Sequence, residues 1–412
     1  MANIVNFMAT EGKNLICIID VGSAKTFVLI GEISDGMLRY RGHGVAESRG
    51  TRKGAIVDLE KASAAIHRAV EDAEKIAGAS IEEAVLTVGG PLMRGLNSRG
   101  GLNLNARTRE ISRDDIRQAI DRARSVVLPA DREMLHLLPQ DYIVDQQSGI
   151  RDPLGMTGAK LEVSIHIVSG SKSSAQSVTT AANRAGIQGL DTVFEALAAA
   201  ECTLKSDERE LGVCLLDIGA GTTELISFFE GCVAHTGVVP LGGDHFTNDV
   251  AVGLRTPLSE AEKIKRAFGN AVITSVPESN EIEVPAVGDR PARLMPQRLL
   301  SEVLEPRARE LFELVRENLR QGGVLESLGA GIVLTGGGAR LPGLLEIAES
   351  VLRCPSRMGY PAAMSRMPAS LAEPEFTTAI GGLMYAHRSR AARTSPEQAG
   401  LKARIKALFQ SA

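Results

Sequence analysis

No run of about 20 apolar residues occurs in this sequence, which excludes a spanning helix and leaves only peripheral contact with a bilayer. The N-terminal region also lacks the apolar stretch of about 7 to 15 residues that a secretory signal needs, because Glu11, Lys13, Asp20 and Lys25 interrupt it. A dominant charge is missing too. With 46 basic and 50 acidic side chains the net charge is −4, so no nucleic-acid partner is expected to be gathered by overall field. Cysteine is scarce and scattered. Cys17, Cys202, Cys214, Cys232 and Cys354 form no Cys-x-x-Cys pair for a metal or redox site, and they read as reduced, cytoplasmic residues. What is present, 412 residues with 44% hydrophobic and 23% charged side chains, is the composition of a folded, soluble protein too long for one ordinary core.

The chain echoes itself. Residues 15–44 read LICIIDVGSAKTFVLIGEISDGMLRYRGHG, and residues 213–243 read VCLLDIGAGTTELISFFEGCVAHTGVVPLGG. Each copy has an apolar strand, an Asp-x-Gly turn, a second strand, a Gly turn and a third strand. Two such copies predict duplicated lobes, each a sheet with helices packed around it. In the first lobe the periodicity predicts a helix over 59–77, a strand over 83–88, a helix over 173–185 closed by Gly186, a strand over 189–194 and a helix over 195–204. Residues 90–165, with a helix capped by Ser112, fall outside the repeated unit and read as an inserted α+β subdomain. A second insertion, 244–321, holds a helix over 259–268, a Pro-rich patch of strands and a long helix over 296–319. A strand over 330–334, a turn over 335–339 and helices over 342–351 and 376–387 complete the second lobe. From 388 the sequence turns polar and aperiodic, so a flexible linker is expected.

A backbone that approaches phosphate oxygens needs residues without bulk, so that its amides aim at the anion. Asp20-Val-Gly22-Ser23-Ala-Lys25 and Asp217-Ile-Gly219-Ala-Gly221-Thr222-Thr223 meet that need. A third cluster, Thr335-Gly336-Gly337-Gly338-Ala339, breaks a strand into consecutive glycines on which an adenosine ring can lie flat. Asp20 and Asp217 end apolar strands and are the candidates to hold the waters of a Mg2+ that bridges the phosphates. One Asp-Gly turn alone is more often an ordinary hairpin; three glycine corners in matching context point to a nucleotide.

In all three motifs, in order and spacing, the chain resembles the sugar kinase, heat-shock chaperone and actin superfamily. That resemblance implies ATP with Mg2+, an α/β fold of two duplicated lobes of mixed sheet plus helices, and two connecting helices. Glu195, in Phe194-Glu-Ala-Leu-Ala-Ala-Ala200, resembles the residue of the first connecting helix that faces the attacking water, and it also serves as a helix-starting acid. Ala379-Ile-Gly-Gly-Leu-Met-Tyr385 resembles the second helix. The stretches Gly242-Gly-Asp-His-Phe-Thr-Asn-Asp249, Ser259-Glu-Ala-Glu-Lys-Ile-Lys265 and 298–307 look like the bacterial cell-division family FtsA, and the likeness covers residues 14–390. It implies subdomains IA (1–89 and 166–195), IC (90–165), IIA (196–243 and 322–387) and IIB (244–321), followed by a linker over 388–399. It places Gly243, Glu262 and Lys265 against the nucleotide, although Glu262 and Lys265 also suit a surface salt bridge. It further implies that the tail peptide of the tubulin-like protein FtsZ binds IIB, where Arg290, Arg293, Arg298, Glu302 and Arg307 offer a basic rim. Late division proteins would bind IC.

Residues 400–412 carry evidence of another kind. Leu401, Ile405, Leu408 and Phe409 share one face of a helix, while Lys402, Arg404 and Lys406 flank or oppose it. A short basic amphipathic helix on a tether suits an anionic membrane surface, and weak single-copy binding would need the avidity of a polymer. The resulting expectation is a peripheral protein at the cytoplasmic face of the inner membrane at the division site. It would form filaments, anchor FtsZ there and hydrolyse ATP slowly or not at all. A PilM-like pilus-assembly homologue and a phosphotransferase or ATPase of the superfamily stand as alternatives.

Overall fold

The computed structural model describes residues 14–104, 109–288 and 290–394, with side chains through 390. The first echo folds into β1 (Leu15–Val21), β2 (Lys25–Ser34) and β3 (Met37–Glu47). Asp35 and Gly36, both at positive φ (55° and 74°), make the tight turn that joins β2 to β3. A short hairpin of β4 (Thr51–Arg52) and β5 (Ala55–Ile56) precedes α1 (Leu59–Ala77) and β6 (Glu83–Val88). Asp58 caps α1 by accepting the Lys61 N–H, and Gly78 ends it in the left-handed region. The buried face of α1 is mostly alanine and lies close on β3, where a Cβ at Gly44 would fall 1.9 Å from the Ala69 carbonyl oxygen.

The insert follows as β7 (Arg94–Asn103), β8 (Arg109–Glu110), α2 (Arg113–Arg124), β9 (Arg132–Val144), β10 (Gln147–Ile150), β11 (Thr157–Gly158) and β12 (Lys160–Ser171). Its main sheet runs β10-β9-β12-β7, all antiparallel, with α2 packed over it. β12 continues past position 165, the expected end of the insert, and feeds directly into α3 (Lys172–Arg184). Next come β13 (Gln188–Phe194), α4 (Glu195–Thr203) and α5 (Ser206–Leu211).

The second echo gives β14 (Val213–Ile218), β15 (Thr223–Phe229) and β16 (Cys232–Val239), again with a tight turn at positive φ, here Glu230-Gly231. Then come α6 (Gly243–Gly253), α7 (Leu258–Phe268), β17 (Glu281–Val284), β18 (Arg293–Pro296), α8 (Gln297–Gln321), β19 (Gly331–Thr335), α9 (Leu344–Leu352), β20 (Ser356–Met358) and α10 (Thr377–Thr394). The two lobe sheets have one plan. β13-β6-β1-β2-β3 and β16-β15-β14-β19-β20 each pair the first strand antiparallel to the second and parallel to the strand on its other side.

Helices α4 and α10 cross between the lobes and share one core with strands from both, including Ile18, Phe27, Leu215 and Val333. They approach so closely that a Cβ at Gly381 would lie 1.8 Å from the Ala198 carbonyl oxygen. α10 also runs beyond position 388, where the polar sequence suggested a linker. Arg388 is tied to Glu201 of α4, the exposed Arg390 donates to the Leu15 carbonyl at 3.1 Å, and the helix runs on to Thr394. Among the described residues no helix is long and apolar enough to cross a membrane.

Candidate functional site

The duplication brings the two Asp-x-Gly corners face to face. A Cβ at Gly221, in the second corner, would sit 2.9 Å from the Ser23 hydroxyl of the first. The third corner folds onto the second: a Cβ at Gly336, which has φ 85°, would come 2.3 Å from Asp217 Oδ1, and one at Gly338 would come 2.8 Å from the Ile218 carbonyl oxygen. Only glycine fits such approaches. Gly243 joins the same group, since its N–H donates to the Gly219 carbonyl at 2.9 Å. Lys265 Nζ reaches the Gly243 carbonyl at 3.0 Å and Thr247 Oγ1 at 2.7 Å, and it pairs with Glu262 at 2.6 Å. Glu262 and Lys265 thus form the expected salt bridge, beside Gly243.

Four carboxyl groups face the centre. Thr87 donates to Asp20 Oδ1 at 2.7 Å and Thr378 to Asp217 Oδ2 at 2.6 Å, matched hydroxyl partners in the two lobes. Glu195 opens α4. Glu224 lies on β15 opposite Asp217, and a Cβ at Gly89 would fall 2.4 Å from Glu195 Oε2 and 2.3 Å from Glu224 Oε1. Glu224 is 2% exposed; its Oε1 accepts the Gly90 N–H at 2.6 Å, its Oε2 makes no hydrogen bond of ordinary geometry, and the Ala196 N–H of α4 also acts on the carboxyl.

Burial, reinforced by mutual repulsion, pushes Asp217 up to about 6 and Glu224 up to about 8. Glu195 is raised by burial and then by its acidic neighbours, and Asp20 is raised by burial against the Thr87 hydrogen bond and the Lys25 charge. A cluster that holds protons against the usual carboxylate range is suited to a cation in its midst. Among the described residues no three acidic, histidine or cysteine side chains stand close enough to grip a metal directly, so the donor set fits a cation held through waters and phosphate oxygens.

Several expected phosphate ligands have protein partners. Ser23 Oγ accepts the Gly54 N–H at 2.8 Å. Lys25 Nζ pairs with Glu375 at 2.7 Å and lies 3.7 Å from the centre of the Phe376 ring. The Thr223 hydroxyl turns from the cleft and donates to the Leu241 carbonyl at 2.8 Å, while Thr222 stays at the corner beside Gly54. The proposed basic rim is largely engaged within the chain. Arg307 holds Asp249 and Glu310, Arg298 holds Glu278 and the Val276 carbonyl, and Arg293 donates to the Leu254 carbonyl, whereas Arg290 and Glu302 are exposed. The amphipathic set Leu401, Lys402, Arg404, Ile405, Lys406, Leu408 and Phe409 lies outside the described residues. Glu224 is the candidate site residue that sequence reasoning missed, although an acid in the largely apolar run Thr-Glu-Leu-Ile-Ser-Phe-Phe was a signal of a buried polar position.

Two sheets of identical plan, two helices crossing between them and three glycine corners converging at the cleft define an actin-like protein. Solved structures agree: the PilM–PilN type IV pilus biogenesis complex matches with a TM-score of 0.64 at 15% identity, covering 90% of this chain and 98% of that one. MreB5 of Spiroplasma citri bound to ADP matches with a TM-score of 0.57 at 14% identity, covering 93% and 99%. The sequence is more specific. The family model for cell division protein FtsA matches residues 214–381, and that for the SHS2 domain inserted in FtsA matches residues 90–169, which is the insert. Cell division protein FtsA of Pseudomonas aeruginosa is 40% identical over 378 residues, covering 92% of this chain and 90% of that protein. FtsA of Escherichia coli K12 is 36% identical over 389 residues, covering 92% of each. The chain belongs to the FtsA family of actin-like cell-division proteins.

Proposed function

We propose that this protein binds ATP with Mg2+ between its lobes, forms filaments, and anchors FtsZ to the cytoplasmic face of the inner membrane while recruiting later division proteins through the insert. The observation that carries the reading is the convergence of Ser23, Gly221, Asp217, Gly336 and Gly338 on one cleft. The glycine corners offer a cradle for phosphates, Asp20 and Asp217 hold the waters of the cation, and Lys265 with Glu262 borders the adenosine. Mg2+ supplies charge neutralisation between the phosphates when bound.

Glu195 faces the place of the attacking water. Burial first, and then its acidic neighbours, favour the protonated form of Glu195, which suits it to position a water rather than to take a proton and supports slow turnover. ATP then serves as a structural ligand that sets the lobe angle. Exposed Arg290 and Glu302 mark the side of IIB for the FtsZ tail peptide. Residues 401–409 give the membrane contact, multiplied by polymer avidity.

The test is co-pelleting of the full chain with anionic liposomes and an acidic FtsZ tail peptide, with ATP and Mg2+ present or withheld. Peptide should pellet only with protein, and more with ATP. Liposome binding unchanged after deletion of residues 400–412 would defeat the anchoring role, and fast ATP turnover dependent on a small-molecule acceptor would point to a phosphotransferase.

A further inference from the structure

Glu224 stands where three parts of the molecule meet. It belongs to β15 of the second lobe, yet its Oε1 holds the Gly90 N–H in the short link by which the chain leaves β6 of the first lobe for the insert. That link is packed on every side. Gly89 lies against Glu195 and Glu224, and a Cβ at Gly90, which has φ 96°, would come 2.6 Å from the Gly54 carbonyl oxygen. Gly54 is in turn bound to the first phosphate corner through Ser23. The insert's sheet also rests on the second lobe. His166 of β12, a neutral buried ring, hydrogen-bonds Thr236 of β16 at 2.9 Å and Asn97 of β7 at 2.6 Å.

The second oxygen of Glu224 is buried and makes no hydrogen bond of ordinary geometry, although the Ala196 N–H at the start of α4 also acts on the carboxyl, and a donor or cation arriving in the cleft would relieve that poorly satisfied state. One carboxyl therefore has an occupied side that fixes the root of the insert and a poorly satisfied side among the groups that would surround a metal nucleotide. We propose that Glu224 is a positioning residue that reports the contents of the cleft to the insert: the arriving metal nucleotide engages the second oxygen, draws the carboxyl toward the cleft and so loosens its hold on the Gly90 N–H. This inference rests on the nucleotide reading of the cleft. It makes the insert's attachment, and with it the surface that the insert presents to partners, dependent on nucleotide.

Amide hydrogen exchange across residues 89–93 of the full chain tests it, with MgATP added or withheld and ATP binding measured in parallel. In the wild type, exchange at Gly90 should rise about tenfold with MgATP, the factor expected from losing one hydrogen bond to a carboxyl. Glu224→Gln is nearly isosteric and keeps an oxygen acceptor, so it should protect Gly90 without nucleotide and abolish the response to MgATP. Glu224→Ala should expose Gly90 in both conditions. The inference is overturned if wild-type protein binds ATP without any change at Gly90, or if Glu224→Gln responds as fully as wild type. Failure of the wild type to bind ATP would overturn both the nucleotide reading and this inference.

Discussion

In the first lobe, Asp20 on β1 stands across from Phe27 on β2; in the second, Asp217 on β14 stands across from Glu224 on β15. Phe27 is 1% exposed and packs its ring 4.9 Å from that of Phe376, joining the core shared with α4 and α10. At the matching rung Glu224 extends a carboxyl toward the cleft and the root of the insert. The comparison separates scaffold from chemistry. Strand order and hairpin turns survive duplication because main-chain ladders and period-two alternation tolerate many side chains. A single rung is apolar and packed in one copy and acidic in the other.

The largest break in the comparison should come from Phe27→Ala, which empties a fully buried ring and is expected to cost about 3–5 kcal/mol in chemical denaturation. Glu224→Gln at the matching rung should instead stabilise the protein at neutral pH, because the amide escapes the cost of keeping a proton that the unfolded chain would release. Equal losses would remove the distinction between the two rungs.

pH provides a second contrast. Glu224 rises from 4.5 to about 8, so between those values the folded protein holds a proton that the unfolded chain releases, and stability falls as pH rises through that window. His166 behaves oppositely: burial lowers it from 6.5 to about 3, so the unfolded chain takes up the proton first and stability falls as pH drops below 6.5. The nucleotide-free protein should thus show a thermal midpoint that declines on both sides. Glu224→Gln should flatten the alkaline side and His166→Gln the acidic side. An alkaline side unchanged in Glu224→Gln would show that Glu224 is not the group that holds the proton.

The smallest effect concerns the matched hydroxyls. Thr87→Val and Thr378→Val should each cost about 1 kcal/mol, as loss of one hydrogen bond to a buried acid predicts. Similar values in the two variants would extend the lobe symmetry to the threonine partners of Asp20 and Asp217, and a marked difference would end it there.

The corners were legible in the sequence because glycine and aspartate leave a local record: a tight turn at 20–25 or 217–223 must be written where it occurs. The insert and the long helices were legible through capping and periodicity. Partners remote in the chain were not. Thr378 meets Asp217 across 161 positions and Lys25 meets Glu375 across 350, and no local pattern encodes such meetings. Arg388 looked like the start of a linker because its partner, Glu201, lies in a helix of the other half. Arg298 and Arg307 read as a free basic stripe until folding supplied Glu278 and Asp249. Glu224 was hidden because its meaning depends on which strand faces the cleft, and register reveals that only once both lobes are assembled.

The most direct test of the central claim is a crystal structure of the full chain grown with ATP and Mg2+. The account predicts one nucleotide per chain, its phosphates between the Gly22 and Gly219 corners, its adenosine against Gly337 and its cation among Asp20, Asp217 and the neighbouring acids. A nucleotide seated elsewhere, or a cleft that excludes it at saturating concentration, would contradict it.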